Sequence, residues 1–301
     1  MSVSLVAAPR SEEPGDGATL DEWVRFLDRF AKLAEVIDGL FDGDGTVIVG
    51  APYAGKTQLA LAISACLAGS ESTEFFGRPV DRTRLHSVAY VATDPGAIRR
   101  AVERLTSMGV PSGAGRGIRF YGLPGVATDT DAWARWADEL HAKGVTVVVL
   151  DNLMGTVRQG EDFDKPAGAA PVLERLRELR ARGFDILVVS HPAKGGGTTP
   201  LGSVMFDAFF RRRVNLTGEG ARRQLTTRSN DGDEWSGSTR LGKGGLVEVV
   251  ASGGLQRKRD RSGDRLTTYR GVDLSEAARA LLAGPDSVRE SQSAGAACGR
   301  S

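Results

Sequence analysis

Gly50-Ala51-Pro52-Tyr53-Ala54-Gly55-Lys56-Thr57 is the stretch that decides the fold. It matches the phosphate-loop pattern G-x-x-x-x-G-K-[ST], which a chain of this composition contains by chance only roughly 1–2% of the time. An apolar segment, Thr46–Val49, precedes it, and an alanine-rich helical segment from Lys56 to about Leu67 follows. Strand, glycine-rich turn and helix, in that order, form the context the motif needs. The glycines let backbone N–H groups turn inward around a β-phosphate, and the helix N-terminus adds its positive end. Lys56 reaches the β- and γ-oxygens as a point charge, and Thr57 offers its hydroxyl to Mg²⁺. Gly50, Ala51, Pro52, Tyr53, Ala54, Gly55, Lys56, Thr57 and Gln58 are therefore the expected nucleotide-binding residues.

Outward from this loop, short apolar runs alternate with helical patterns. Ser87–Ala92, Ile118–Tyr121, Val145–Leu150 and Ile186–Ser190 read as strands, and Ala97–Ser107, Asp131–His141 and Pro171–Arg182 as helices. The Val-rich run 145–150 has the character of a strand buried on both faces. Alternation of this kind implies an α/β fold with a mostly parallel central sheet, flanking helices and right-handed crossovers. A phosphate loop needs a second, Mg²⁺-directed carboxylate at the tip of a neighbouring strand, and Asp151 supplies it. An acid at the mouth of an apolar strand is costly without such a task. His191 ends the next strand, at the carboxyl edge where ligands of open α/β sheets bind. It either senses the γ-phosphate or caps the strand, and the sensor is the preferred reading.

After about residue 211 the pattern becomes hairpin-like, with β segments at Arg213–Leu216, Gln224–Arg228, Leu246–Ala251 and Thr267–Val272. Asp273-Leu-Ser-Glu276 resembles a capping box opening a last helix to about Ala283. At the other end, Trp23, Phe26, Leu27, Phe30, Leu33 and Ile37 recur at helical spacing. The expected organisation is a single domain over 19–284: an N-terminal helix (19–39), a nucleotide-binding core (40–210) and a basic β-rich part (211–284). Residues 1–18 and 285–301 are expected to be disordered.

Composition narrows the function classes. The 301 residues carry 39 Lys+Arg against 38 Asp+Glu, which excludes a polybasic coat for nucleic acid. The charge is uneven, however. Residues 211–271 hold 14 basic and 7 acidic side chains, a local net of +7, which leaves −6 for the remainder. Thirty-two of the basic residues are Arg, a bias that a GC-rich genome would also produce. Two cysteines and three histidines, with no Cys-x-x-Cys, argue against a disulfide scaffold and a dedicated zinc site. With no long apolar span and no signal pattern at the N-terminus, a cytoplasmic protein without membrane contact is expected.

From about Leu40 to Asn230 the chain resembles the RecA-like ATPases, and within them the RepA-type hexameric helicase group of plasmids and phages. The resemblance is carried by the phosphate loop, Cys66-Leu-Ala-Gly with Phe76-Gly-Arg-Pro-Val80, and Val88-Ala-Tyr-Val-Ala-Thr-Asp-Pro95. It continues through Val149-Leu-Asp-Asn-Leu153, Val188-Val-Ser-His191-Pro-Ala-Lys194 with Gly202-Ser203, and Thr227-Arg-Ser-Asn230. It implies ATP and Mg²⁺ as ligands, a homo-oligomeric ring (a hexamer), single-stranded DNA, and other replication or recombination proteins as partners. One departure stands out. Such ATPases end the second strand in a glutamate that activates water, where this chain has Thr93 followed by Asp94. Either Asp94 serves as the base, the preferred reading, or hydrolysis is slow. The resemblance further makes Arg228 the candidate finger toward a neighbouring subunit's γ-phosphate. Arg211, Arg212 and Arg213 are either a second such cluster or a solvated strand edge. Lys194–Pro200 would face a channel, and Arg257-Lys-Arg-Asp-Arg261 is either a further DNA contact or a soluble hairpin tip. A non-motor ATP-dependent switch or loader remains an alternative. A P-loop small-molecule kinase is disfavoured by the absence of an Arg-rich lid.

Overall fold

The continuous apolar runs do become buried strands. In the computed structural model, Thr46–Gly50 (β1) leads into the helix Lys56–Ala68 (α1), and a small hairpin follows, Glu74–Phe75 (β2) with Arg78–Pro79 (β3). Then come Val88–Ala92 (β4), Ala97–Ser107 (α2), Ile118–Tyr121 (β5), Thr130–Ala142 (α3) and Val147–Asp151 (β6). A 3-10 turn at Leu153–Thr156 precedes Pro166–Ala181 (α4), Asp185–Ser190 (β7) and Val204–Phe209 (α5). Arg212–Thr217 (β8), Arg222–Ser229 (β9), Glu234–Leu241 (β10) and Val247–Ser252 (β11) complete the order. The structure describes residues 35–252 except 70–72, 84, 95, 109, 111–116, 158–161, 164, 194–199, 201–203, 219–220, 231 and 242–246, and before them residues 17–19, 21, 22 and 25. Most of the expected N-terminal helix, the segment 267–272, the capping box, residues 1–16 and the expected disordered end 285–301 lie outside the described residues, as do Lys194 and the run 257–261.

One nine-stranded sheet runs in the order β11-β10-β9-β8-β1-β7-β6-β4-β5. Strands β8, β1, β7, β6, β4 and β5 pair in parallel, and β9, β10 and β11 extend the sheet antiparallel. Alternation along the central strands builds two cores. Ile48, Tyr90, Val147, Val149, Leu187 and Val189 join Leu59, Ile63 and Leu105 on the α1/α2 side. Val47, Val49, Val91, Val148, Leu150 and Val188 join Trp133, Trp136, Leu140, Leu173 and Phe206 on the α3/α4/α5 side. With both faces covered, parallel strands lose the inside–outside alternation of hydrophobicity, which is why they read as unbroken apolar runs.

Four expectations are corrected. First, β7 lies between β1 and β6, so the Asp151 strand is one removed from the phosphate-loop strand rather than beside it. Second, α4 starts at Pro166, not Pro171. Pro166 sits in the first turn, where a missing N–H costs nothing, and Pro171 is carried inside a helix held down by Ala169, Val172 and Leu173. Third, β8 is no hairpin edge: it pairs in parallel with β1 and antiparallel with β9. The solvated-edge reading of Arg211–Arg213 fails for Arg212, which is only 2% exposed, ion-paired with Glu35 and bonded to the Gly39 carbonyl, while Arg211 is exposed and Arg213 half-buried. Fourth, β10 was not anticipated. Its buried positions, Trp235, Gly237 and Thr239, are too small and polar on average to register as a strand face.

Candidate nucleotide site

Side-chain parity brings the predicted residues together. Asp151 follows Val147 and Val149 on the α1 face of the sheet, and His191 follows Leu187 and Val189 on that same face. Both emerge at the carboxyl edge, above the start of α1. There the phosphate loop is held by its own geometry. A Cβ on Gly50 would sit 2.6 Å from the Leu216 carbonyl oxygen, and Gly55 has φ 99°, so glycine is required at both positions. Tyr53 takes φ 63° and is 96% exposed. The Lys56 amine, 7% exposed as a residue, donates to the Gly50 carbonyl at 2.7 Å and the Ala51 carbonyl at 3.0 Å. It thus spans the loop from within.

Asp151 is the electrostatic centre. Its carboxylate accepts from the Tyr90 hydroxyl at 2.6 Å and is also hydrogen-bonded by Thr57. Burial raises its pKa above the usual aspartate value, and these two hydrogen bonds oppose the rise. Burial lowers the Lys56 pKa, with Asp151 pulling it back up. The His191 pKa is lowered by burial and then by the Lys56 charge, while Asp151 and Asp94 oppose the shift. Lys56, Thr57, Asp94, Asp151 and His191 therefore share one electrostatic neighbourhood. Tyr90 was not anticipated, since an aromatic inside a β run reads as core; its parity with Val88, on the face that carries Asp151, is the signal that would have found it.

The residues also fit Mg²⁺ carried by a nucleotide. No group of three His, Cys, Asp or Glu side chains among the described residues forms a metal cage. One carboxylate and one hydroxyl, already aligned on each other, match an ion that takes its other ligands from phosphates and water.

Thr93 and Asp94 divide in role. The Thr93 N–H donates to the Asp151 carbonyl at 2.9 Å, and its hydroxyl accepts from the Asn152 N–H at 2.9 Å. A Cβ on Gly155 would fall 2.3 Å from the Thr93 Cβ. Thr93 is thus a clasp between the β4 and β6 tips, and the exposed Asp94 beside it is the next acid along the chain. Arg228 stands apart from this cluster. It lies opposite Arg213, which pairs with Val47, at the end of β9 away from the phosphate loop, and its exposed side chain is 3.6 Å from Glu234.

A phosphate loop on β1, an acid on β6 and one strand between them define a P-loop nucleotide-binding protein with a RecA-like sheet. The model of the AAA domain family AAA_25 matches residues 8–197, more than half of the chain, and the chain belongs to that family. ATP binding and hydrolysis are the activity class this membership supports. Among solved structures the chain is similar to a KaiC-like protein of the hyperthermophilic archaeon Pyrococcus horikoshii OT3, at 17% identity and a TM-score of 0.48, over 72% of this chain and 94% of that one. It is also similar to the RadB recombinase, at 20% identity and a TM-score of 0.46, over 69% of this chain and 91% of that one. No curated protein matches the chain. Among the described residues, no helix is long and apolar enough to cross a membrane.

Proposed function

We propose that this chain is a Mg²⁺-dependent ATPase of the RepA-type helicase group, working as a hexameric ring on single-stranded DNA in replication, recombination or repair. The observation that carries the reading is the convergence of Lys56, Thr57, Asp94, Asp151 and His191 on one edge of the sheet. Lys56 would exchange its carbonyl partners for phosphate oxygens. Thr57 and Asp151 would hold the metal, which when bound neutralises charge on the β- and γ-phosphates. Asp94 would take the proton of the attacking water, and His191, held neutral by its lowered pKa, would report γ-phosphate to the segment after β7. Arg228, remote from its own site, would serve a neighbour's.

DNA contact would come from the basic C-terminal part and from the loop after β7, which a bridge between Pro192 and Pro200 closes. Arg212 and Arg223 are buried and do not belong to that surface. The second reading, an ATP-dependent switch or loader with slow turnover, is favoured by Thr93, whose hydroxyl is already engaged where the resemblance would put a glutamate.

Phosphate release by the full chain in Mg·ATP separates the two. The motor reading expects several-fold stimulation by single-stranded DNA at low salt, fading steeply as salt rises. It also expects Asp94→Asn to fall by about a hundredfold or more. Turnover that is slow and indifferent to DNA favours the switch, and an unimpaired Asp94→Asn removes that residue from the base role.

A further inference from the structure

Arg223 has no part in the site as read from the sequence, where it is one of many arginines in a basic segment. In the structure it is 8% exposed and lies on the α1 face of β9, in line with the buried Leu225 and Thr227. Its Nε donates to the Ala54 carbonyl at 2.8 Å, and one terminal nitrogen donates to the Tyr53 carbonyl at 3.3 Å. Both acceptors are in the crown of the phosphate loop. The β8–β9 hairpin touches that loop a second time, where the Leu216 carbonyl leaves no room for a side chain on Gly50. The outer wall of the nucleotide cradle is therefore built by a hairpin whose Arg223 lies 169 residues beyond Ala54 in the chain.

A trans peptide points its C=O and N–H in opposite directions. A cation that holds the Ala54 carbonyl outward consequently aims the Gly55 N–H inward, to the side from which a phosphate would be bound. The same grip restrains Tyr53, a bulky residue in the left-handed region that would leave it if released. Arg suits this task because its planar fork reaches two carbonyls at once, where a lysine offers a single point charge.

We propose that Arg223 is a positioning residue of the nucleotide site: it pre-organises the phosphate loop and couples that loop to the antiparallel strands β8–β10. The inference rests on the nucleotide-binding reading above. It also predicts the direction of coupling, since whatever moves β9 must move the loop crown, and nucleotide that orders the crown must stiffen β9.

The test uses the full chain and the variants Arg223→Lys and Arg223→Met, titrated with Mg·ADP carrying a fluorescent ribose label. The Kd is expected to rise about tenfold in Arg223→Met and about threefold in Arg223→Lys. KM for ATP should rise in parallel with kcat little changed, because ground and transition states lose the same binding. Amide exchange in the nucleotide-free protein should quicken across residues 50–57, with β4 and β6 as protected as before. A wild-type Kd and unchanged exchange in Arg223→Lys would overturn the proposal; the same criteria decide if the methionine variant does not fold. If the wild-type chain binds neither Mg·ADP nor Mg·ATP, it is the nucleotide reading that fails, a result independent of the variants.

Discussion

Lys56→Ala is expected to abolish ATP hydrolysis, with turnover down at least about a hundredfold. The reason is geometric. Among the described residues Lys56 is the one amine buried under the loop, and it already bridges the Gly50 and Ala51 carbonyls at hydrogen-bond distance. It also bears on the pKa values of both Asp151 and His191. Removing it would delete the charge proposed to meet the γ-phosphate, and it takes away the positive charge that helps keep the buried Asp151 carboxylate ionised. The variant should still fold, because β1 and α1 are anchored by Ile48, Leu59 and Ile63 rather than by the amine. Phosphate release, measured beside a thermal melt, checks both halves. Residual turnover within a few-fold of wild type would mean that another cation performs this task.

Arg212→Ala should be the most destabilising single change among the described arginines, at about 3 kcal/mol. The Arg212 guanidinium is ion-paired with Glu35 and donates to the Gly39 carbonyl at 3.1 Å. Thr227 donates to that same carbonyl at 2.7 Å, and the Gly39 N–H donates to the Glu35 carboxylate. The network ties the segment entering the domain to β8 and β9. Burial already pushes the Glu35 pKa up against the pull of Arg212, so removing the arginine leaves a carboxylate that is costly to keep charged. Denaturant unfolding measures the loss. The double variant Arg212→Met with Glu35→Leu should recover much of it, since an apolar pair of similar volume leaves no stranded charge. A single variant within about 0.5 kcal/mol of wild type would contradict the structural role.

How much of the site was legible in the sequence is clearest at two arginines, Arg212 and Arg223. The phosphate loop, Asp151 and the parallel sheet could be read because each leaves a local mark: a motif, a terminal acid on an apolar run, an alternation of periods. Arg212 and Arg223 leave none. Both look like surface charge in a segment of net +7, and only pairing with β1 and packing on the loop turn them inward. Parity with Leu225 would have placed Arg223 on the buried face, but that requires knowing that β9 has one. Pro171 misplaced a helix start because the sequence offers two prolines and only tertiary burial chooses between them. Trp235 alone marked β10, in a run of Ser, Gly and Thr whose partners are supplied by β9. Thr93 was noticed as a departure, but its use as a clasp on the Asp151–Asn152 backbone depends on the register of β4 against β6.

The ring proposed above would be assembled by nucleotide at this site together with single-stranded DNA. Mass measurement of the full chain, alone and with Mg·ATP and single-stranded DNA, tests it most directly. A closed oligomer, six chains to the ring, should accumulate when both ligands are present, and Arg228→Ala should keep it from hydrolysing ATP. A monomer under every condition would contradict it.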